Sequence, residues 1–570
     1  MRPITLSSSL LRPYVCLSCR RGTSFLSIRR QYATSSQPES ESESDIPDIY
    51  DVVCVGGGPA GLALLAALSM SRIGCKLIER KNQSNNCHMI GSSPITSKLK
   101  VGLIETQDLK KARNWKLESN NFSNRVSSLT PSSLKFLKQI GAWDHVDVDR
   151  VQNYQEMQVW DGQTGSKISF DWSNPSFPFS TTLAAGSSGE LSSLPRTIAT
   201  MTENANLVRA LLKHIEASEE EENNVSIWSN TRLSSIENGR SYYPNGPDLS
   251  AWPILSLSPS GPAGTTSTAP SRIAARLLVG ADGINSPVRS FAGISTSGWD
   301  YNRHGVVATL TLAEPGPSSE YRPPTTSASS LRTAYQRFLP SLGGPIALLP
   351  LPDNHATLVW STTVQNAAYL KSLPPKAFIA AVNAAFRLSM VDLSYIMRLG
   401  TPTPGETTIG TTAHEDELSW RLQHTSLPAH IPPTVKGIQE GTLASFPLRF
   451  RHASTYISPR VALVGDAAHV VHPLAGQGLN LGLGDVASLS ATIEYAVSHG
   501  MDVGDILSLE RYSSERYLVN AKIGGACDLL HKLYNVPGYG PVAWGRSVAL
   551  DAIDRLPFVK GFLMKQAEGG

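Results

Sequence analysis

The chain has 570 residues, more than the roughly 100–200 of one simple domain, so it needs two or three domains or one large interleaved body. Hydrophobic residues make up 41% and charged residues 17%, which excludes wholesale disorder. A formal net charge of +3 is too small to argue for a nucleic-acid partner.

The first 38 residues carry six arginines (Arg2, Arg12, Arg20, Arg21, Arg29 and Arg30), no lysine and no acid. Without them 44 basic residues stand against 47 acidic ones, so the basic balance belongs to the leading segment and not to the folded body. An Arg-rich, Ser-rich, acid-free N-terminus has the composition of a mitochondrial transit peptide. Arg30-Gln31-Tyr32 resembles a matrix-peptidase site; a merely disordered basic tail is the alternative. The reading is a transit peptide over residues 1–32 and a polar, acidic linker over 33–47. Cys16 and Cys19 form a CxxC inside that segment with no second pair, so no zinc is expected. Cys54, Cys75, Cys87 and Cys527 are read as buried thiols in a reducing compartment. No run of 18 apolar residues occurs, so no membrane-spanning helix is predicted.

The body opens on Ile49–Val55, a short apolar run such as a buried parallel strand shows. Ala60–Ser71 is rich in Ala and Leu and reads as helix, and Cys75–Glu79 reads as a second strand. Gly56-Gly57-Gly58-Pro59-Ala60-Gly61 lies between the first strand and the helix, the context a dinucleotide fingerprint requires. Gly56 permits the tight turn, Gly58 lets the backbone approach a pyrophosphate, and Gly61 lets helix and strand pack closely. Pro59 and Ala60 begin the helix whose positive end faces the pyrophosphate. Glu79, followed by Arg80, supplies a carboxylate for an adenosine ribose. This motif alone does not separate NAD from FAD.

Further along, Glu219–Glu222 reads as a solvated loop. Residues 257–271 and 314–330 are rich in Pro, Ser, Thr and Gly; they bury too little apolar surface to offset ordering entropy and are expected to lengthen hairpin loops. Residues 305–312 read as a strand, and 345–351 with 355–362 as a hairpin around Pro352-Asp353-Asn354. βα units are thus mixed with antiparallel sheet. Two more strand-to-turn motifs appear, Leu277–Gly283 ending in Gly-Ala-Asp-Gly, and Val461–His469 carrying Gly465-Asp466, the latter followed by His472-Pro473-Leu474-Ala475-Gly476-Gln477-Gly478-Leu479-Asn480. His469 and His472 have no third ligand beside them, so no metal site is expected.

The second and third motifs resemble the "DG" and "GD" fingerprints of class A flavoprotein monooxygenases, the para-hydroxybenzoate hydroxylase fold. The resemblance implies an α/β fold class: a Rossmann-like FAD-binding domain interleaved with an antiparallel-sheet substrate domain, plus C-terminal helices. The expected segments are 48–150, 196–298 and 446–500 for FAD binding, 151–195 and 299–445 for substrate, and 501–570 for the helices. FAD is the implied cofactor. Asp282 is expected near its pyrophosphate and Asp466 on its ribityl chain, with Gly465 in the turn. Pro473 and Gly476 would line the flavin, and Gly478, Leu479 and Asn480 would open a helix whose positive end stabilises charge on the reduced ring. No side chain stands out as acid or base; the chemistry belongs to the cofactor's C4a position.

Ser123–Ser128, Gly141–His145, Met157–Asp161, Gln336–Pro340, Gly344–Leu351 and Arg460–Leu463 resemble the mitochondrial ubiquinone-biosynthesis branch, a likeness spanning roughly residues 49–560. That likeness implies C5-ring hydroxylation of a polyprenylated hydroxybenzoate or aminobenzoate with O2, at the matrix side of the inner membrane, peripherally bound and beside other subunits of a ubiquinone-biosynthesis complex. It implies electrons from a ferredoxin and its reductase, where the wider family uses NAD(P)H. Arg125 would reach toward the cofactor, and Ser123 stands where the wider family has an acid. Pro345–Leu351 and Trp360 are candidate walls for the tail, against plain sheet core. Residues 541–564 read first as core packing and second as a membrane or partner docking face. The competing functions are oxidation of another aromatic compound, and a subunit that FAD merely stabilises.

Overall fold

The computed structural model describes residues 46–69, 96–116, 118, 120–172, 197–219, 224–241, 247–260, 269–314, 332–399, 413–425, 431–473, 476–536 and 540–555. The transit-peptide reading, the Cys75–Glu79 strand, Glu79, Arg80 and the acidic run after Glu219 lie outside them. Every described strand and helix lies between Asp48 and Arg555, within one compact unit.

In chain order the strands are β1 (Asp48–Val55), β2 (Val101–Ile104), β3 (Val126–Leu129), β4 (Gln152–Tyr154), β5 (Glu156–Asp161), β6 (Lys167–Asp171), β7 (Ala199–Glu203), β8 (Val225–Trp228), β9 (Thr231–Asn238) and β10 (Pro253–Pro259). They continue with β11 (Arg272–Gly280), β12 (Thr296–Leu312), β13 (Thr333–Leu339), β14 (Gly344–Pro350), β15 (His355–Thr363), β16 (Val435–Ile438), β17 (Ala444–Ala453), β18 (Ile457–Ser458), β19 (Val461–Leu463) and β20 (His469–Val470). The helices that position the site are α1 (Pro59–Leu68), α2 (Pro375–Arg387), α3 (Gly478–Ser498), α4 (Ile506–Tyr534) and α5 (Pro541–Arg555).

The first sheet runs β18-β19-β11-β1-β2-β8, with β9 and β10 extending it beyond β11. β19, β11, β1, β2 and β8 are parallel, as βα crossovers require. Val52, Val53, Cys54 and Val55 are all buried, because helices cover both faces of such a sheet. Helix α1 buries every residue from Gly61 to Leu68, and an all-round apolar helix belongs inside.

The second sheet runs β20-β17-β12-β15-β14-β13-β5-β6, with β16 beside β12. Its period-2 alternation splits two environments. Val306, Ala308, Ile346, Leu348, Leu358 and Trp360 join a buried cluster with Phe378 and Phe386 of α2. A small third sheet, β3-β7-β4, packs Tyr154 and Met201 with Phe122 and Leu351. Strands of the first two sheets alternate along the chain, which interleaves the FAD-binding and substrate layers.

Several sequence readings resolve here. The β14–β15 hairpin forms as expected, with Asp353 and Asn354 at φ 54° and 57°, the paired left-handed geometry of a type I′ turn. Residues 261–268 connect the antiparallel neighbours β10 and β11, also as expected. The second insertion is a correction: it joins β12 to β13, which β14 and β15 separate, so it is no hairpin loop. Trp360 follows the plain sheet-core reading and not the candidate-wall one. It lies fully buried on the α2 side and walls no channel. The C-terminal expectation divides: Leu550 and Ile553 pack with Tyr534 against Val159, Ile168 and Phe338, whereas Val542, Trp544 and Val548 are exposed. No described helix is long and apolar enough to cross a membrane.

Candidate functional site

The fingerprint's geometry follows from sterics. Gly56 has φ 109°, and a Cβ there would lie 2.3 Å from the Ala281 carbonyl oxygen. A Cβ on Gly61 would lie 1.9 Å from the Gly56 carbonyl oxygen. These two glycines bring α1, β1 and the end of β11 together. At Gly58, by contrast, nothing lies within 4 Å of a Cβ position. Gly58 caps α1 with Pro59 next, so unpaired N–H groups of the first turn face open space where a phosphate fits. Along its C-terminal half β1 has β11 on one edge and β2 on the other. The acid at the end of the neighbouring strand is therefore Glu105, which sequence reasoning missed. It accepts the Gly57 N–H at 2.5 Å and the Gln107 N–H at 2.7 Å. The signal was present as Val101–Glu105, a second apolar run ending in an acid.

The Asp282 turn follows β11 directly. One carboxyl oxygen accepts the Val288 N–H at 3.2 Å; the other is buried with no partner among the described residues. Burial raises the Asp282 carboxyl above its ordinary range, against the pull of Ser286 and Val288. A buried orphan acceptor calls for a donor from a ligand or water.

The third motif closes the same space. A Cβ on Gly465 would lie 3.7 Å from the Ala60 Cβ, and one on Gly482 would lie 3.3 Å from the Gly465 Cα. The starts of α1 and α3 thus meet at the Gly465-Asp466 turn. Asp466 is open to solvent, yet the protein around it raises its carboxyl while His469 opposes; both hold for a side chain on the floor of a cleft. Asp485 of α3, another residue missed at sequence level, fixes the turn. Fully buried, it accepts the Gly465 N–H at 3.1 Å and His469 Nε2 at 2.6 Å on one oxygen. Its other oxygen accepts Arg516 Nε at 3.0 Å and Asn520 Nδ2 at 2.8 Å. Burial alone would raise this carboxyl, but His469, Arg516 and Asn520 hold it below the usual range. An acid on the apolar face of a helix, between Leu481 and Leu489, was its signal.

Pro473 and Gly476 lead into α3, whose first turn is open at Gly478; Leu479 follows it, packed on the core. Gly476 has φ 63°, and its Cβ position lies 3.4 Å from Ser128. Ser128 Oγ lies 3.1 Å from the buried Tyr154 hydroxyl, whose pKa burial raises. Asn480 is spent on the protein itself: its Oδ1 accepts the Thr130 N–H at 3.0 Å and its Nδ2 donates to the Ser128 carbonyl at 2.8 Å. It clamps the Gly476 loop to β3. Just before Pro473, His472 packs beside Tyr301 and His531, ring centroids 5.1 and 4.5 Å away.

Arg125 is exposed on a loop whose backbone is held from two sides. Glu203, wholly buried, accepts the Ser123 N–H at 2.5 Å and Arg150 Nε at 2.6 Å. Gln439 accepts the Phe122 N–H and donates back to its carbonyl, at 2.8 and 2.9 Å, and Asn124 donates to the Thr442 carbonyl. Both layers thus fix this loop while the Arg125 side chain stays available.

Opposite, the face of the second sheet turned away from α2 carries Val307, Val359, Ala347 and Gln336 in one row. Val307, Val359 and Ala347 are half-buried although β12, β15 and β14 are interior strands. Phe122 and Tyr154 cover one end of this face at Leu349 and Ala334. A central sheet face left uncovered is an apolar slot. The open helix ends, the orphan acceptor and the cleft-floor Asp466 fit FAD, with this slot for an aromatic guest.

A family model described as an FAD binding domain matches residues 263–524. The mitochondrial ubiquinone biosynthesis monooxygenase COQ6 of Schizosaccharomyces pombe is 37% identical over 91% of this chain and 92% of its own. Its namesake in Xenopus tropicalis is 34% identical, over 96% and 99%. Among solved structures, p-nitrophenol 4-monooxygenase PnpA from Pseudomonas putida DLL-E4 shares the fold at TM-score 0.55 and 16% identity, covering 92% of this chain and 99% of its own. With that fold, cofactor geometry and extended sequence identity together, the chain belongs to the COQ6 family of mitochondrial ubiquinone biosynthesis monooxygenases and is an FAD-dependent monooxygenase.

Proposed function

We propose that the chain hydroxylates the C5 position of a polyprenylated hydroxybenzoate or aminobenzoate in ubiquinone biosynthesis, with O2, at the matrix side of the mitochondrial inner membrane. The supporting observation is the half-buried row Val307, Val359 and Ala347 in the middle of the sheet. Bound FAD supplies the oxygen activation. The residues proposed to hold it are Gly56, Gly58, Pro59, Ala60, Gly61, Glu105, Arg125, Asp282, Gly465, Asp466, Pro473, Gly476, Gly478 and Leu479, with Asn480 acting through the backbone. Glu105 takes the ribose hydroxyls, Asp282 donors near the pyrophosphate, and Asp466 the ribityl hydroxyls. The N-terminus of α3 lowers the cost of negative charge on the ring. The apolar row orients the guest ring and excludes water. A prenyl tail, at roughly 0.8 kcal/mol per buried CH2, needs an apolar host, which places the enzyme at the bilayer as a peripheral protein. Electrons come from a ferredoxin and its reductase, with neighbouring subunits of the biosynthetic complex as partners.

The test is mass spectrometry of quinone precursors in cells lacking the chain, then complemented with the Gly476→Val or Asp466→Ala variant. Accumulation of a precursor short of one ring hydroxyl, with the complex still assembled in the variants, is expected. An unchanged ubiquinone profile overturns the reading. Normal hydroxylation by both variants, once they are shown to lack FAD, would leave the chain a stabilising subunit.

A further inference from the structure

We propose that the outward face shared by α4 and α5 is the surface that seats the chain on an anionic lipid bilayer. This deepens the peripheral membrane association above and rests on that reading only for its purpose, delivery of the tail.

The face is continuous along α4. Leu518, Lys522, Gly525, Leu529 and Lys532 are exposed and recur at offsets of 4, 7, 11 and 14 residues, one side of an α-helix. Val519, Ala526 and Leu530 widen the stripe, and on α5, tied to the end of α4 by Arg546, Trp544 and Val548 are exposed four residues apart on one side. Leu529 is 65% exposed and Trp544 71%. Single exposed apolar residues are ordinary; a stripe along one helix, continued by a second, is an interaction surface.

The charge of the face selects its occupant. No acid is exposed among the described residues from 518 to 549. The one acid within it, Asp528, is buried, accepts from Trp299 and Tyr301, and is paired with Lys532 at 2.8 Å. Lys532 Nζ also stands 4.0 Å from the centroid of the half-exposed Trp299 ring. Lysine is depleted in the core of protein interfaces. Leucine and tryptophan flanked by lysine is the make-up of a surface lying in the headgroup region of anionic lipid.

The platform is rigid and well placed. Buried Arg546 of α5 pairs with Asp161 of β5 at 2.8 Å and donates to the Val536 carbonyl at 3.0 Å. Beneath it, Tyr534 stacks on Phe338 of the substrate sheet with centroids 3.8 Å apart. Phe338 and the slot residue Gln336 lie on the same side of β13. α4 thus packs, through Tyr534, on the same side of the sheet that carries the slot, which brings the proposed docking face close to the substrate layer.

The FAD-loaded full chain is tested by co-sedimentation with phosphatidylcholine vesicles with and without cardiolipin. Wild type is expected to bind the cardiolipin vesicles preferentially and less so at high salt. Leu529→Glu/Trp544→Glu should lower partitioning at least about tenfold, and Lys522→Glu should lower it selectively on cardiolipin. Flavin absorbance and FAD-dependent oxidation of a short-chain substrate should stay unchanged. Equal sedimentation of wild type and the double variant overturns the proposal. So does a wild-type dimer that binds no vesicle and that the double variant splits, which would make the face a contact between copies. If vesicle binding behaves as stated while quinone precursors are normal without the chain, the docking surface stands and the assigned reaction fails.

Discussion

Glu105 and Asp485 define two kinds of site residue. Glu105 lies at the cleft and is proposed to touch the cofactor. Its replacement by alanine removes charged hydrogen bonds worth about 1.5–3 kcal/mol. FAD affinity should therefore fall roughly ten- to hundredfold in a flavin-fluorescence titration. Asp485 touches no cofactor-facing space and holds the Gly465 turn from behind. Asp485→Ala leaves Arg516 facing an emptied buried acceptor. Breaking such a pair costs about 3–5 kcal/mol, which denaturant unfolding of the FAD-free protein should register. Equal unfolding midpoints for wild type and Asp485→Ala would show that the hub carries no net stability. The first variant reports on binding and the second on folding, although both residues are acids near a glycine turn.

At the scale of the element, the pleat decides what neighbouring residues do. Leu348 and Ala347 are adjacent on β14, yet Leu348 is fully buried against α2 and Ala347 looks into the open slot. Leu348→Ala should cost about 2–5 kcal/mol through cavity formation and leave KM for substrate near the wild-type value. Ala347→Phe should instead keep the unfolding midpoint and FAD content while kcat/KM falls at least about tenfold, because the ring fills the slot rather than the core. The reverse pattern would assign the slot to the wrong side of the sheet. Helices obey a similar logic: α1 is apolar all round and vanishes into the core, whereas α4 buries one side, at Asn520, Gly524, Cys527, His531 and Tyr534, and exposes the other at Leu518, Lys522 and Leu529.

At the scale of the whole molecule, buried histidines join the layers and tie stability to pH. His472 precedes Pro473, and its pKa is pushed down to about 3 by burial and then by His531. His531 of α4 is pushed down to about 4 by burial and then by Arg303. Both sit below the ordinary value of 6.5, so the unfolded chain binds the extra protons. Their contribution is fully present above pH ~6.5 and is lost as pH falls toward their folded values, by roughly 1.4 kcal/mol per pH unit for each. Urea unfolding between pH 7 and 5 should show this decline, and His531→Asn should flatten it. An identical slope in the variant would exclude the pair as its source.

What the sequence determined by itself is local. Gly56, Gly61 and the Asp353-Asn354 turn are dictated by backbone sterics acting within a few residues, so their motifs announce strand, turn and helix without any fold. The three nucleotide motifs also carried the cofactor and the family, because each keeps its residues consecutive. Which strand lies beside β1, and hence that Glu105 ends it, depends on pairing between residues 49 apart, such as Val52 with Val101. Asp485 and Glu203 work through partners brought in from distant elements. Whether Trp360 or Ala347 faces the slot is set by which side of the pleat the helices cover. Those decisions belong to tertiary structure, because burial and hydrogen-bond partnership are properties of the assembled layers and not of any window of sequence.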